Sequence, residues 1–137
     1  IAIKALSPAV NDPTTAVQAL DKIEDLLRRL ATRYLEVGRV TDEKGALRLI
    51  FPTPTSEDFL SLAFDVTRFY GSTSIQVMRR LRNALYDLER IAPPSRQKAI
   101  RHYIDHLVAT VKHSITDTDD QATALQQDRQ GLGLSHR

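Results

Sequence analysis

The segment DPTTAVQALDKIEDLLRRLATRY, residues 12–34, decides the fold. Asp12 can cap a helix, and Pro13 suits the first helical position, where its missing N–H is not needed. The apolar residues that follow recur at alternating steps of four and three, the spacing of an amphipathic helix: Ala16, Leu20, Ile23, Leu27, Leu30 and Tyr34. We therefore expect a long helix with one buried face, ended by Gly38.

The opposite face of this helix carries charges in the favourable order. Glu24 and Arg28 are four residues apart with the acid first, and so are Asp25 and Arg29. We therefore expect both pairs on the outer, solvated side of the helix.

Three further stretches, about 55–70, 72–91 and 95–115, repeat the helical period and are separated by Gly71 and by Pro93-Pro94. In the first of them, the predicted buried stripe consists of Phe59, Leu62, Ala63, Val66, Phe69 and Tyr70. After residue 116 the pattern decays, so we expect at most one weak helix before a frayed tail over 131–137.

Residues 39–51 have a different pattern. A short β-branched entry is followed by a polar turn that contains Gly45 and by an alternating exit in which Arg48 separates Leu47 from Leu49. This pattern predicts a β-hairpin with one wet face. Because an isolated hairpin is marginal in water, we expect it to pack on the helices or on another part of the protein.

These elements predict a mainly α fold. We expect an irregular antiparallel bundle of about four to five helices with a small β-hairpin insertion at 39–51, in one domain over 1–130.

Composition excludes several classes of protein. The 137 residues include no cysteine, which excludes disulfides, thiol nucleophiles and iron–sulfur ligation. Aromatic residues make up 6% and the formal net charge is +2, so we expect no nucleic-acid partner. No phosphate-loop or nucleophile-elbow motif occurs, and we predict no cofactor and no catalytic residue.

The segment ALSPAVNDPTTA, residues 5–16, followed by Leu20-Asp21, resembles the signature of domain of unknown function 2254, a family of predicted bacterial membrane proteins. The resemblance implies an upstream transmembrane region, so this chain would be a C-terminal soluble portion of a cell-membrane protein. We expect it on the cytoplasmic side. The first residues, starting at Ile1, read as the tail of a helix already under way. Ala9 stands where the family usually has glycine.

The signature also supplies a candidate ligand site. Its polar residues Ser7, Asn11, Asp12 and Thr15 could present groups to a ligand or ion. The alternative is a structural corner in which Asp12 caps the helix while Asn11 and Ser7 satisfy backbone groups.

Two other clusters are candidates for chemistry. His102 and His106 are four residues apart on one helix, a spacing that lets two imidazoles reach one metal. The favoured alternative is that both are solvated, because they lie at the edge of the apolar stripe or on its wet side. Arg79, Arg80 and Arg82 could face anionic lipid headgroups, or form an ordinary solvated face.

We therefore expect a noncatalytic domain that self-associates, as a homo-oligomer, or contacts the upstream transmembrane region. The apolar spacing of residues 16–34 is close to 3.5, which suits helix pairing between subunits. The alternatives are a ligand-sensing module with a pocket near residues 11–15, and an unrecognised hydrolase.

Overall fold

The computed structural model describes residues 1–35 and 38–127. Within them, six helices and two strands follow in order: α1 (Ala2–Ala5), α2 (Pro13–Ala31), β1 (Arg39–Thr41), β2 (Leu47–Ile50), α3 (Ser56–Tyr70), α4 (Ile75–Ile91), α5 (Pro94–Ser114) and α6 (Thr118–Ala124). The prediction of a mainly α fold with a small hairpin is confirmed. The predicted frayed tail over 131–137 and the domain end at 130 lie outside the described residues.

Helix α4 is the centre of the bundle. It packs against α2, α3, α5 and α6. Its inward side chains are at most 2% exposed and include Met78, Leu81 and Leu85. Helix α2 contributes Ala16, Leu20 and Leu27 to the same core, so the apolar stripe predicted for α2 is buried within a single chain.

Helix α2 ends earlier than the sequence predicted. Its last residue is Ala31, and Tyr34 is 74% exposed. The carbonyls at a helix end need donors. Arg96 of α5 supplies them, since its guanidinium donates to the carbonyl oxygens of Leu30 at 3.1 Å, Ala31 at 2.8 Å and Arg33 at 2.8 Å. A cation from a distant helix, and not a glycine, therefore fixes this end.

Gly38, predicted to close α2, instead lies at the base of the hairpin. Its carbonyl accepts a hydrogen bond from the Phe51 N–H at 2.9 Å. A Cβ on Gly38 would overlap the carbonyl oxygen of Phe51, so the two chain segments can meet here only at a residue without a side chain.

Helix α3 buries a different face from the one predicted. The buried residues are Leu60, Phe64 and Thr67. Most of the predicted stripe is exposed instead: Leu62, Val66, Phe69 and Tyr70. Both sets recur at steps of four and three, so periodicity could not choose between them. Three of these exposed residues, Leu62, Val66 and Phe69, recur at steps of four and three, and we call them the α3 ridge.

The hairpin is exposed on both faces. All seven residues of β1 and β2 are exposed, although the sequence predicted one dry face. Arg39 pairs with Ile50 and Val40 with Leu49, but the next pair is Thr41 with Leu47, because an irregularity interrupts the register. The extra residue, Arg48, breaks the expected alternation of side chains.

Asp42 holds the hairpin turn together. Its carboxylate accepts hydrogen bonds from the backbone N–H groups of Lys44 at 3.0 Å and Ala46 at 2.9 Å, and from the Arg48 guanidinium at 2.8 Å. The bond from Ala46 is the main reason that the pKa of Asp42 is lowered. Gly45 has a φ of +80°, which suits a residue without a side chain.

Two phenylalanines of α3 test which face is buried. Phe64 is 2% exposed and Phe69 is 69% exposed. We expect Phe64→Ala to lower the free energy of unfolding by about 3–5 kcal/mol, because it leaves a core cavity. The matched control Phe69→Ala should change it by no more than about 0.5 kcal/mol. Urea unfolding measures both, and equal losses would contradict the observed face.

Candidate functional site

The corner formed by Ser7, Asn11, Asp12 and Thr15 uses its polar groups locally. The Asp12 carboxylate accepts from the Thr15 N–H at 3.0 Å and from the Thr15 hydroxyl at 2.5 Å, which caps α2. The Ser7 hydroxyl donates to the Lys4 carbonyl at 2.8 Å. These bonds match the structural interpretation of the corner.

Asn11 provides the sharp bend of this corner. Its φ is +44°, a left-handed conformation that asparagine tolerates better than most residues. Its N–H donates to the Ser7 carbonyl at 2.8 Å, and the Asp12 N–H donates to the Ala5 carbonyl at 2.7 Å. The cavities described for residues 1–35 and 38–127 are lined by other residues.

The two predicted metal-ligating histidines are exposed neighbours on α5. The ring centroids of His102 and His106 are 6.4 Å apart. Within the part of the chain that the structure describes, no group of three or more His, Cys, Asp or Glu side chains could hold a metal ion. His106 also lines a groove between α3 and α5, whereas His102 does not.

The predicted basic surface is divided by the fold. Arg79 and Arg80 are 6% and 5% exposed, so they do not form the solvated or lipid-facing surface that the sequence suggested. The reason is that α4 is surrounded by other helices, and charges on it face packed neighbours. Arg82 is partly exposed and its guanidinium lies 4.5 Å from the centre of the Tyr86 ring.

Arg80 forms a buried ionic cluster that the sequence did not predict. Its guanidinium donates to Asp21 at 2.5 Å and to Glu24, both on α2. Glu24 also contacts Arg28 at 3.4 Å, but it is 4% exposed and not on the outer face as expected. The Leu20-Asp21 pair that follows the family signature is the sequence feature that could have pointed to this cluster, because Asp21 is one of its acidic residues.

Opposing effects act on the charge of Arg80. Burial by itself lowers the pKa of the guanidinium, but the hydrogen bonds to Asp21 and Glu24 offset it and leave the pKa raised. Arg80 is therefore a permanent cation, and the Glu24 carboxylate compensates its charge inside the protein. Its Nη1 is buried and has no hydrogen-bond partner among the described residues.

Two adjoining cavities lie at the opposite end of α2 from the corner. An open cleft of about 580 Å³ lies between the end of α2, residues 53–56 and residues 93–96. A small apolar pocket of about 30 Å³ adjoins it, and Arg96 lines both. Because the Arg96 guanidinium already binds three carbonyls, its role here is structural.

The exposed apolar side chains include two groups that each lie on one side of a single element. One is the α3 ridge, and the other is the hairpin, where Val40 and Leu49 are paired across the strands and are 46% and 54% exposed. Phe51, two residues after Leu49, extends the same side of the hairpin and is 41% exposed. We call Val40, Leu49 and Phe51 the hairpin face.

A double-mutant cycle tests the buried ionic cluster. We expect Arg80→Met to lower the free energy of unfolding by about 3–5 kcal/mol, because the buried Glu24 then has only the more exposed Arg28, 3.4 Å away, as an ionic partner. The double variant with Glu24→Met should lose less than the sum of the two single losses. Arg90→Met, which breaks an exposed pair with Asp87, is the control. Additive losses in urea unfolding would contradict the coupling.

The cap of α2 gives a pH-dependent prediction. The hydroxyl of Thr15, followed by its N–H, lowers the pKa of Asp12 below its ordinary value of 3.8. The ionised cap therefore stabilises the fold above that value, and the effect is lost as pH falls through the lowered pKa.

We therefore expect Asp12→Ala to lower Tm by about 4 °C at pH 7. The difference from the parent chain should shrink as the pH falls below 3.8. Asp25→Ala, at an exposed position of α2, is the control and should leave Tm nearly unchanged. A Tm difference that does not vary with pH would contradict this role of the carboxylate.

None of the helices in the described ranges has the length and apolar character that crossing a bilayer requires. No solved structure matches the chain significantly.

The chain does match known sequences. The uncharacterized proteins Mb1321c of Mycobacterium bovis and Rv1290c of Mycobacterium tuberculosis are each 32% identical to it over 126 residues, which is 91% of this chain and 24% of each relative. The chain therefore spans about a quarter of the length of these relatives. Residues 1–87 match the family model described as predicted membrane protein (DUF2254). The chain belongs to this family of predicted membrane proteins.

Proposed function

We propose that this chain is a noncatalytic interaction domain of a membrane protein and that it self-associates through the hairpin face. The observation that carries the proposal is the exposure of Val40, Leu49 and Phe51 on one side of a two-stranded hairpin. A hairpin of this size is only marginally stable alone in water, so covering its apolar side is favourable.

The other surface considered for self-association is already occupied. The apolar stripe of α2 suggested helix pairing between subunits, but Leu20 and Leu27 are buried against the core of the same chain. A contact between two copies of the chain therefore needs a surface outside the bundle core. The hairpin carries an exposed apolar surface of this kind.

The hairpin also offers backbone groups to a partner. β1 and β2 form a two-stranded sheet, so among the described residues each has one edge without a neighbouring strand. Exposed strand edges pair readily with other strands. A second copy of the hairpin can therefore pair with a strand edge and bury the hairpin face at the same time.

Membership of a family of predicted membrane proteins supports a second part of the proposal. We assign the parent protein to the cell membrane, this domain to its cytoplasmic side, and its contacts to a neighbouring copy or to the transmembrane region. Labelling of a cysteine introduced at exposed Glu43 of the full-length protein, in intact cells and in inverted vesicles, tests the side.

The ligand-sensing alternative has a specific observation in its favour, although not at the corner where the sequence suggested it. The open cleft of about 580 Å³ at the end of α2 is large enough for a small molecule. The polar groups of Ser7, Asn11, Asp12 and Thr15 support a structural corner instead. The hydrolase alternative has no comparable observation in its favour.

Light scattering coupled to size-exclusion chromatography tests self-association. We expect a dimer or larger assembly, and we expect Leu49→Lys to raise the dissociation constant at least tenfold by placing a charge in the apolar contact. A strict monomer at several hundred micromolar would contradict the proposal.

The neighbouring residue provides a matched control. Ile50 is 65% exposed and pairs with Arg39 on the other side of the hairpin. Ile50→Lys should therefore leave the assembly intact. Circular dichroism of both variants shows whether the helical bundle remains folded, and equal loss of assembly in both variants would count against a contact confined to the hairpin face.

A further inference from the structure

An open groove lies between the end of α3 and the C-terminal half of α5. Its volume is about 440 Å³, and its lining includes Arg68, Phe69, Ser72, His106, Thr110 and His113. It is separate from the corner at residues 7–15, from the hairpin and from the cleft at the end of α2.

The lining of this groove is basic. One guanidinium and two imidazoles contribute to it, and no carboxylate does. The chain as a whole has 19 Lys and Arg residues and 17 Asp and Glu residues, whereas the groove lining has one Arg and no acidic residue. A basic concave surface attracts anions.

Arg68 is held in place without being neutralised. Its Nη1 donates to the Thr110 hydroxyl at 2.8 Å, and that hydroxyl donates in turn to the His106 carbonyl at 2.9 Å. Among the described residues, no acidic side chain forms an ion pair with Arg68, and its Nε is buried without an acceptor. A partly buried guanidinium in this state is stabilised by an external anion.

The two histidines lie on either side of Thr110 along α5. His106 and His113 are seven residues apart on α5, which places them on one face of the helix at roughly 10 Å along its axis, with Thr110 between them. An imidazole has an N–H donor whether it is neutral or protonated. Ser72 adds a hydroxyl from the turn before α4.

The donor set favours a particular anion. A phosphoryl group has several oxygens that can accept hydrogen bonds from a guanidinium, an imidazole and a hydroxyl at the same time. A metal cation is disfavoured, because the guanidinium of Arg68 is permanently positive. We propose that this groove binds the phosphoryl group of a ligand, with Arg68 as the principal contact and His106 and His113 as flanking donors.

Two sources of this group share the same chemistry. One is a soluble phosphate ester and the other is a phospholipid headgroup. Phe69 lines the groove and is 69% exposed, and the α3 ridge continues from it. An apolar ridge beside a basic groove is an arrangement that interfacial lipid binding uses, so the experiment must separate the two sources.

Titration with inorganic phosphate, followed by NMR of the imidazole signals at constant pH and ionic strength, tests the site. We expect saturable shifts of the His106 and His113 signals that are larger than the shift of His102, which does not line the groove but lies 6.4 Å from His106. Arg68→Gln should weaken binding about tenfold or more, whereas Arg29→Gln, an equal charge change at an exposed position of α2, should not. If Arg68→Gln does not fold, His113→Gln serves as the second variant and should weaken binding.

Co-sedimentation with vesicles identifies the source. Binding that requires phosphatidic acid in phosphatidylcholine vesicles and is lost in Arg68→Gln supports a lipid headgroup. Saturable phosphate shifts without vesicle binding support a soluble ligand. The proposal is overturned if phosphate causes no saturable shift and phosphatidic acid no binding, or if the folded Arg68 and His113 variants bind as the parent chain does.

Discussion

The contact between Arg80 and two carboxylates is the constraint on which the packing of the bundle depends. Arg80 lies on α4, and both acceptors, Asp21 and Glu24, lie on α2, about one turn apart. The guanidinium can reach both only in one register of the two helices. Sliding α2 by a turn would move one carboxylate to the place of the other and leave Arg80 with only one of its two partners. Apolar side chains alone would tolerate such a slide more readily, because hydrophobic burial is not directional.

The contact of Arg80 with Asp21 suggests what the residues of the family signature do in the structure. Asn11 takes the left-handed conformation, Asp12 caps α2 and Pro13 begins it, so these residues fix where the helix starts. Asp21, two turns later, then meets Arg80. The positive φ in this corner falls on Asn11 and not on Ala9, so an alanine at position 9 is compatible with the observed backbone.

Local chemistry was predictable from the sequence, and long-range contacts were not. The start of α2 followed from Asp12 and Pro13, and the hairpin from its turn. The early end of α2 depends on Arg96, more than sixty residues away, and no local pattern announces it. The predicted buried face of α3 was wrong because two stripes of residues on this helix share one period. The burial of Arg80 could not be predicted because it depends on which helices surround α4.

The base of the hairpin is linked by hydrogen bonds to the chain that follows α2. The Phe51 N–H donates to the Gly38 carbonyl, and the Thr53 hydroxyl donates to the Leu35 carbonyl at 3.4 Å. The Arg96 guanidinium donates to the carbonyl of Arg33, two residues before Leu35. These bonds connect the hairpin base, the end of α2 and the start of α5. Displacing the strands would therefore also strain the contacts of Arg96 that end α2.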